Sequence, residues 1–435
     1  MLIRRATLLD GRSVDIRAEA QITEVAPDLR PQSDEVVLDA AGGTVIPGLH
    51  DHHVHVHSAA AAADSLRVGP AEVRDRDDLA RALAGAEVGA DGWIRAIGYH
   101  EAVAGPLDRH RLDTLAPPVP VRIQHRSGIQ WTLNSAGLEA VGLAEHPDGR
   151  LRSADRTWSD ALQRRDTALD GLSGRLAAYG VTGLTDATPD LDIADIVKLE
   201  EAHRLGGLQQ RVHHLAPGKR ILHDENLDLA ELVDWTVRRH RDNAPVAVHC
   251  VTAAQLVITI AALRAAGTHP GDRIEHAAVV PDDCVADIAE LGVTVVTQPN
   301  FIAERGDQYL TDVPTHEHAQ LWRLASLLDA GIPVALSTDM PFGEGDPWAA
   351  MRAAVHRRAP SGAVLGEAER VPARTALNLF LGTPTEPTGL RTVAKGQPGD
   401  LCVLDVSPER LLHDLDGGAV AATVIDGQIV YRRDG

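Results

Sequence analysis

The chain reads as an α/β protein, a TIM-like (β/α)8 barrel with a small β-sandwich domain formed from both chain termini. Three observations predict this. Apolar runs of five to eight residues alternate with amphipathic helical stretches through the middle of the chain. Both ends are rich in short strands and hairpin turns. Residues able to bind metal or move protons recur at the ends of the apolar runs, where barrels carry their chemistry.

At the N-terminal end, Leu2–Leu9 is closed by Asp10-Gly11, a hairpin signal, and Ser13–Ile16, Ala20–Val25 and Val36–Asp39 follow as strands. At the other end stand Asp400–Asp405 and a second hairpin, Ala419–Ile425 and Gln428–Tyr431 around Asp426-Gly427. We expect residues 1–46 and 386–435 to form one composite β-domain around a barrel spanning 47–385. The βα pattern is clearest in Val246–His249 then Ala253–Ala266, Asp272–Ala277 then Asp282–Leu291, Val293–Gln298 then His318–Ala330, and Pro333–Thr338 then Pro347–Val355. Repeats of this kind imply a parallel sheet with right-handed crossovers, and a segment this long favours a closed barrel over an open sheet. Trp93–Gly98, Val119–Gln124, Gly183–Thr185 and Gln210–His214 are more strand candidates than the first half of a barrel needs. Some of them are expected in an insertion near residues 60–175.

Composition bounds the function. No apolar run of the 435 residues approaches the roughly 20 needed to span a bilayer, and the start of the chain lacks a signal-peptide pattern. Three separated cysteines, Cys250, Cys284 and Cys402, argue against a disulfide framework or a cysteine zinc site and fit a reducing cytoplasm. A net charge of −20 disfavours nucleic acid and anionic membrane as partners. Only Lys198, Lys219 and Lys395 are lysines in an arginine-rich chain, which makes a lysine a candidate for amine chemistry that arginine cannot perform; Lys198 and Lys395 read as surface, and Lys219 does not.

The densest chemical signal is His50-Asp51-His52-His53-Val54-His55-Val56-His57, after Val45-Ile46-Pro47-Gly48-Leu49. A strand puts residues i and i+2 on one face, so His53 and His55 can aim two imidazoles at one point. His50/His52 and His55/His57 share that spacing, and spacing alone does not choose. His249, His276 and Asp339 each end a later strand run. Lys219 follows the apolar stretch Val212–Pro217; a buried lysine is costly unless neutralised, and carbamylation by carbon dioxide would turn it into a metal-bridging carboxylate. His125 and Arg126 close another strand candidate and are placed to hold a polar or carboxylate group. Gln298 and Asn300 are expected at the same mouth as substrate contacts, with Arg305 and Asp307 in a nearby loop or surface ion pair.

Pro47-Gly48-Leu49-His50-Asp51-His52-His53-Val54-His55 resembles the first-strand signature of the amidohydrolase superfamily, which selects His53 and His55. Lys219, His249, His276 and Asp339 match that superfamily's order of later groups, and Lys395–Asp405 resembles its return to the β-sandwich. Asn134–Leu138, Arg273–Ala277, the stretch from Leu291 to Phe301 and the stretch from Leu328 to Pro341 are similar to the N-substituted formamide deformylase-like branch. Many members of that branch carry a glycine-histidine pair where this chain has Gly128-Ile129, so formamide deformylation itself is not carried over.

The resemblance implies two divalent metals, zinc above all, held by His53, His55, His249, His276, Asp339 and a carbamate on Lys219. It implies hydrolysis of a C–N bond in a small amide, cyclic amide or N-formyl compound by metal-activated hydroxide, with Asp339 as general acid and base. The competing expectations are a mononuclear deaminase-type hydrolase and a non-catalytic binding protein of the same fold. A homodimer is expected on family grounds.

Overall fold

The computed structural model describes residues 1–153, 156–159, 161–162, 168–189 and 191–433. Within the expected insertion, positions 154, 155, 160 and 163–167 lie outside the described residues, as do 434 and 435 of the expected terminal β-domain. The chain divides into two compact units, Met1–Val56 with Leu169–Gly435, and His57–Ala168.

In the first unit, the two chain ends build two four-stranded sheets. One has the order Ile22–Ala26, Ser13–Ala18, Leu2–Thr7, Val37–Asp39; the other runs Gln428–Arg432, Val420–Ile425, Leu401–Leu404, Val45–Pro47. Asp426 and Gly427 both have positive φ (52° and 69°), the type I′ geometry that a two-residue hairpin requires. Ile3, Ile16 and Ile22 of one sheet and Leu401, Val403 and Val424 of the other belong to one apolar cluster. These sheets do not separate from the rest as a compact unit of their own. The reason is local: Val45–Pro47 pairs with Leu401–Leu404 and then passes through Gly48 directly into the first strand of the central set.

Eight parallel strands, numbered here in chain order, carry that central set: β1 (Leu49–Val54), β2 (Val181–Asp186), β3 (Arg211–His214), β4 (Lys219–Ile221), β5 (Ala247–Cys250), β6 (Arg273–His276), β7 (Thr294–Thr297) and β8 (Val334–Leu336). They fall into a three-stranded sheet, β3-β2-β1, and a five-stranded one, β4-β5-β6-β7-β8. β1 fits tightly against β2, since a Cβ on Gly48 would stand 2.2 Å from Cγ2 of Thr182. Beyond the end of β8, the Asp339 N–H donates to the His53 carbonyl (3.0 Å), bringing the last strand's end to the first.

The expected βα alternation holds from β5 onward, with one departure after β7. Before β5, no helix separates β3 from β4. Four residues cannot make the dozen-residue crossover that paired parallel neighbours need, and the two strands accordingly lie in different sheets. After β7 the main helix is Asn300–Asp312, not His318–Ala330, where a 3-10 turn (Thr315–Gln320) and one short helix (Ala325–Asp329) stand. Pro299 at its N-cap gives no side-chain capping bond and Gly306 lies inside it, so the usual start signal is missing.

The second unit has a five-stranded sheet in the order Arg150–Arg152, Gln130–Leu133, Val121–His125, Ile94–Tyr99, Leu66–Arg67. Trp93, Trp131, Leu133, Leu138 and Trp158 form one of its apolar clusters. Among the described residues, no helix is long and apolar enough to cross a membrane.

Candidate metal centre

The period of two along β1 sends Asp51, His53 and the following His55 to one side and His50 and His52 to the other. His50 instead pairs with Thr185 (Nε2 to Oγ1, 2.9 Å), its ring 4.6 Å from that of His52. His53, His55 and Asp339 bring ligand atoms within 4.8 Å of one another. Oδ1 of Asp339 lies 3.6 Å from Nε2 of His53 and 3.4 Å from Nε2 of His55. Nδ1 of His276 is 3.9 Å from the other Asp339 oxygen, and the His249 ring meets the His276 ring edge-on, centroids 4.4 Å apart. Lys219 begins β4 instead of ending a strand, opposite Ala247 and two residues short of His249 in register. Its long stem still carries Nζ to 3.0 Å from Nε2 of His53. All six residues therefore converge from β1, β4, β5, β6 and the end of β8.

Three of the four imidazoles, those of His53, His55 and His276, are held through Nδ1. His53 Nδ1 is hydrogen-bonded to Oε2 of Glu275. His55 Nδ1 faces the Thr188 hydroxyl (3.2 Å), and His276 Nδ1 donates to Oε1 of Gln298 (2.8 Å), whose own amide donates to the Ser337 hydroxyl (2.8 Å). Two turning points are in the left-handed region: His276 and Ala277 (φ 71° and 47°) at the end of β6, and Asp339 (φ 56°) after β8. Non-glycine residues there are strained, and such strain concentrates at functional sites.

The electrostatics favour cation binding. Burial pushes His53 and His249 well below the ordinary imidazole range and His276 down to about 4, so the rings are neutral and keep lone pairs. Burial raises the Asp339 carboxyl, but His55, His276 and Lys219 around it outweigh that and hold it below the usual range, as an anion. Burial brings Lys219 down to about 8 and Asp51 up to about 7. Oδ1 of Asp339 is buried without a hydrogen-bond partner among the described residues. An orphaned carboxylate oxygen facing two imidazole nitrogens is costly by itself and suits a divalent ion held by nitrogen and oxygen donors.

The remaining predicted positions fall as follows. Gln298 and Asn300 are buried (0% and 1% exposed); Asn300 donates to the Thr338 carbonyl (3.0 Å) and to Glu304 (2.8 Å). His125 and Arg126 belong to the second unit, where His125 Nε2 is 3.1 Å from Glu101. His100, Glu101 and His125 cluster there, but each imidazole accepts a backbone N–H at Nδ1 (Ala102 and Ser127, both 3.2 Å), which puts the ring proton on Nε2, toward Glu101. Such a cluster is a hydrogen-bonded carboxylate, not a set of open nitrogen donors. Arg305 and Asp307 sit on the helix Asn300–Asp312 instead of in a loop, Arg305 reaching the Phe342 carbonyl and Asp307 accepting from the Ser361 N–H (2.9 Å). Phe342 packs edge-on against His55, centroids 5.1 Å apart. Cys250 is buried, bonded to Thr259.

Sequence reasoning missed Asp186, Thr188 and Glu275. Asp186 ends β2 and accepts from the Val56 N–H (2.8 Å) and the Thr188 N–H (2.8 Å), fixing the chain that follows His55. A polar residue closing a strand run was the available signal for it. For Glu275 there was none beyond its place before His276.

Residues 36–431 match the family model for the amidohydrolase family. The N-substituted formamide deformylase of Arthrobacter pascens is 25% identical over 522 aligned positions, covering 99% of this chain and 95% of that protein. An uncharacterized metal-dependent hydrolase from Pyrococcus horikoshii OT3 superposes with a TM-score of 0.73 at 17% identity, covering 94% of this chain and 97% of its own. The 5-methylcytosine deaminase of Klebsiella pneumoniae, liganded with phosphonocytosine, superposes at 0.60 and 14% identity over 100% of this chain and 99% of its own. With a family match that runs from the strand Val37–Asp39 into the last hairpin, the chain belongs to the amidohydrolase family.

Proposed function

We propose that the protein is a metal-dependent hydrolase that cuts a non-peptide C–N bond in a small amide, cyclic amide or N-formyl compound. The observation that carries this is the buried, unpartnered Oδ1 of Asp339 opposite Nε2 of His53 and His55. In this reading β1 to β8 close as a (β/α)8 barrel, and the terminal sheets pack as a β-sandwich. His53, His55, His249, His276, Asp339 and Lys219, the last as its carbamate, would hold two divalent ions, zinc on the strength of an all-nitrogen-and-oxygen donor set. Bound ions supply a lowered water pKa and a polarised carbonyl. Asp339 takes the proton of the attacking water and passes it to the leaving nitrogen, so the C–O bond forms, the C–N bond breaks and the amine leaves neutral.

Gln298 orients His276, and Asn300 holds the Thr338 carbonyl beside Asp339. Phe342 supplies an apolar wall next to His55. His125 and Arg126 are our proposed contacts for a polar or carboxylate group of the substrate. The N-formyl class draws on the name of the Arthrobacter relative, and Gly128-Ile129 keeps the substrate class broader than that name. A homodimer acting in the cytoplasm is the expected assembly and location.

A second reading has its own support. His53, His55 and Asp339 alone make a three-donor cluster, enough for one ion and a deaminase-type reaction. Elemental analysis of protein purified with zinc and bicarbonate separates the two. Near two metals per chain supports the carbamate reading and justifies an amide panel. Near one favours the mononuclear reading, and none refutes both.

A further inference from the structure

We propose that Arg273 and Glu275 are positioning residues that decide which ring nitrogen of His53 faces the metal-binding space. The proposal rests on the metal reading above for its purpose, but not for its geometry. Arg273 and Glu275 stand at i and i+2 on β6, on one face of the strand, and both are buried (4% and 0% exposed). Nε2 of His53 lies 3.0 Å from Nζ of Lys219, a donor, so Nε2 accepts there. The ring proton is then on Nδ1, and it is donated to Oε2 of Glu275. The opposite tautomer would set a bare Nδ1 lone pair against a carboxylate oxygen.

Arg273 completes the arrangement. Its Nε is 2.7 Å from the second Glu275 oxygen, Oε1, and its Nη2 donates to the His52 carbonyl (2.6 Å), the peptide that leads into His53. One guanidinium thus holds both the acceptor of the His53 ring and the backbone that carries it. The partners of the other two rings are neutral, a hydroxyl for His55 and an amide for His276. Of the three, His53 alone hydrogen-bonds a carboxylate through Nδ1. A carboxylate behind an imidazole fixes its tautomer and makes it a stronger donor to a cation. A buried charge pair contributes little to stability that packed apolar residues could not, so its value here lies in this orientation.

The test uses the full chain stripped of metal. Zinc affinity is measured against a competing chromophoric chelator for the wild type, E275Q and E275D. Ring tautomers are read from nitrogen-15 histidine spectra of the metal-free protein, His53 being assigned by its loss in His53→Asn. E275D keeps a negative charge beside Arg273 but shortens the reach to Nδ1. We expect His53 in the Nδ1–H form in the wild type, and zinc binding weaker by about 10- to 100-fold in both variants. An Nε2–H wild-type ring overturns the proposal. So does unchanged zinc affinity in the folded variants, whether or not they melt earlier. A wild type that takes up no zinc refutes the metal reading instead, and the tautomer measurement then still decides the positioning claim.

Discussion

Asp339→Asn isolates the proton-transfer step from the metal site. The amide is the same shape and still presents an oxygen to the space between Nε2 of His53 and Nε2 of His55, at 3.6 Å and 3.4 Å from the present Oδ1. It loses the charge and the ability to take a proton. A positioned general acid or base contributes about 10²- to 10⁴-fold to rate. At about 1.36 kcal/mol per decade, the barrier should rise by about 3 to 5 kcal/mol. The assay is kcat at saturating amide, with metal measured on the same sample and the rate expressed per bound metal. Asp339→Ala with added formate is the companion: a small carboxylate entering the vacated space should restore part of the rate. A variant with metal retained and kcat per metal within about threefold of wild type, well under the expected loss, would refute the assignment of Asp339 as acid and base.

Other expectations follow from the same geometry. Gly48→Ala places a Cβ 2.2 Å from Thr182 Cγ2, a buried β-branched side chain that cannot yield, so β1 must shift; overpacking of this kind costs about 1–3 kcal/mol. Zinc content and thermal stability should fall together, and a variant that binds zinc normally would show that β1 tolerates the displacement. Phe342→Ala removes the aromatic wall beside His55, so KM for amides with bulky apolar substituents should rise while KM for small amides changes little. Equal changes across a substituent series would count against Phe342 as a substrate contact. Glu369 is buried and accepts the Leu324 and Ser326 N–H groups, each at 2.9 Å, with Arg323 Nε at 3.2 Å. Burial raises its carboxyl, but the bonds from Ser326 and Leu324 and the Arg323 charge outweigh that and leave it below the usual range. Its folded pKa is therefore depressed, so this stabilisation is full above the unfolded value of about 4.3 and is lost as pH falls through the folded value. Glu369→Gln should cost about 1–3 kcal/mol at pH 7, with the gap to wild type closing in acid; a gap unchanged at pH 3 in denaturant titrations would contradict the linkage.

What could be read from the sequence was what local periodicity encodes. The strand period of two marks three histidine pairs, from which the resemblance of Pro47–His55 to a first-strand signature picks His53 and His55; the hairpin at Asp426-Gly427 is legible because its turn demands positive φ. His249, His276 and Asp339 are legible as polar ends of apolar runs. The helix Asn300–Asp312 was hidden because its start has no side-chain cap and its interior holds a glycine. Lys219 was visible as an oddity, but its place at the beginning of β4 depends on how strands of two sheets are aligned, which no window of sequence records. The pairing of His53 with Glu275 joins residues 222 positions apart, and that of Asp51 with Thr338 joins residues 287 apart. Such partners are chosen by the folded register, so the groups that orient the ligands stayed out of reach even where the ligands did not.

That division has a physical consequence for the site. Asp339 stands at φ 56°, a conformation that costs about 1–3 kcal/mol and persists only where the surroundings over-determine it. They do so here. Asp51 accepts the Thr338 N–H (3.1 Å), the Thr338 hydroxyl (2.6 Å) and the His53 N–H (3.3 Å), tying the approach to Asp339 to the strand that bears the first two histidines. On the far side, the N–H groups of Phe342 and Gly343 donate to the Asp339 carbonyl (2.9 and 3.0 Å). The second bond needs a glycine, because a Cβ on Gly343 would stand 2.3 Å from the Thr338 carbonyl oxygen. The distance between Asp339 and the two histidines is thus set by Asp51, Thr338 and Gly343, none of which is a candidate ligand. A chain could keep every ligand and still lose the site by losing this clasp, which is why the ligand pattern alone marks the family but not the precision of the centre.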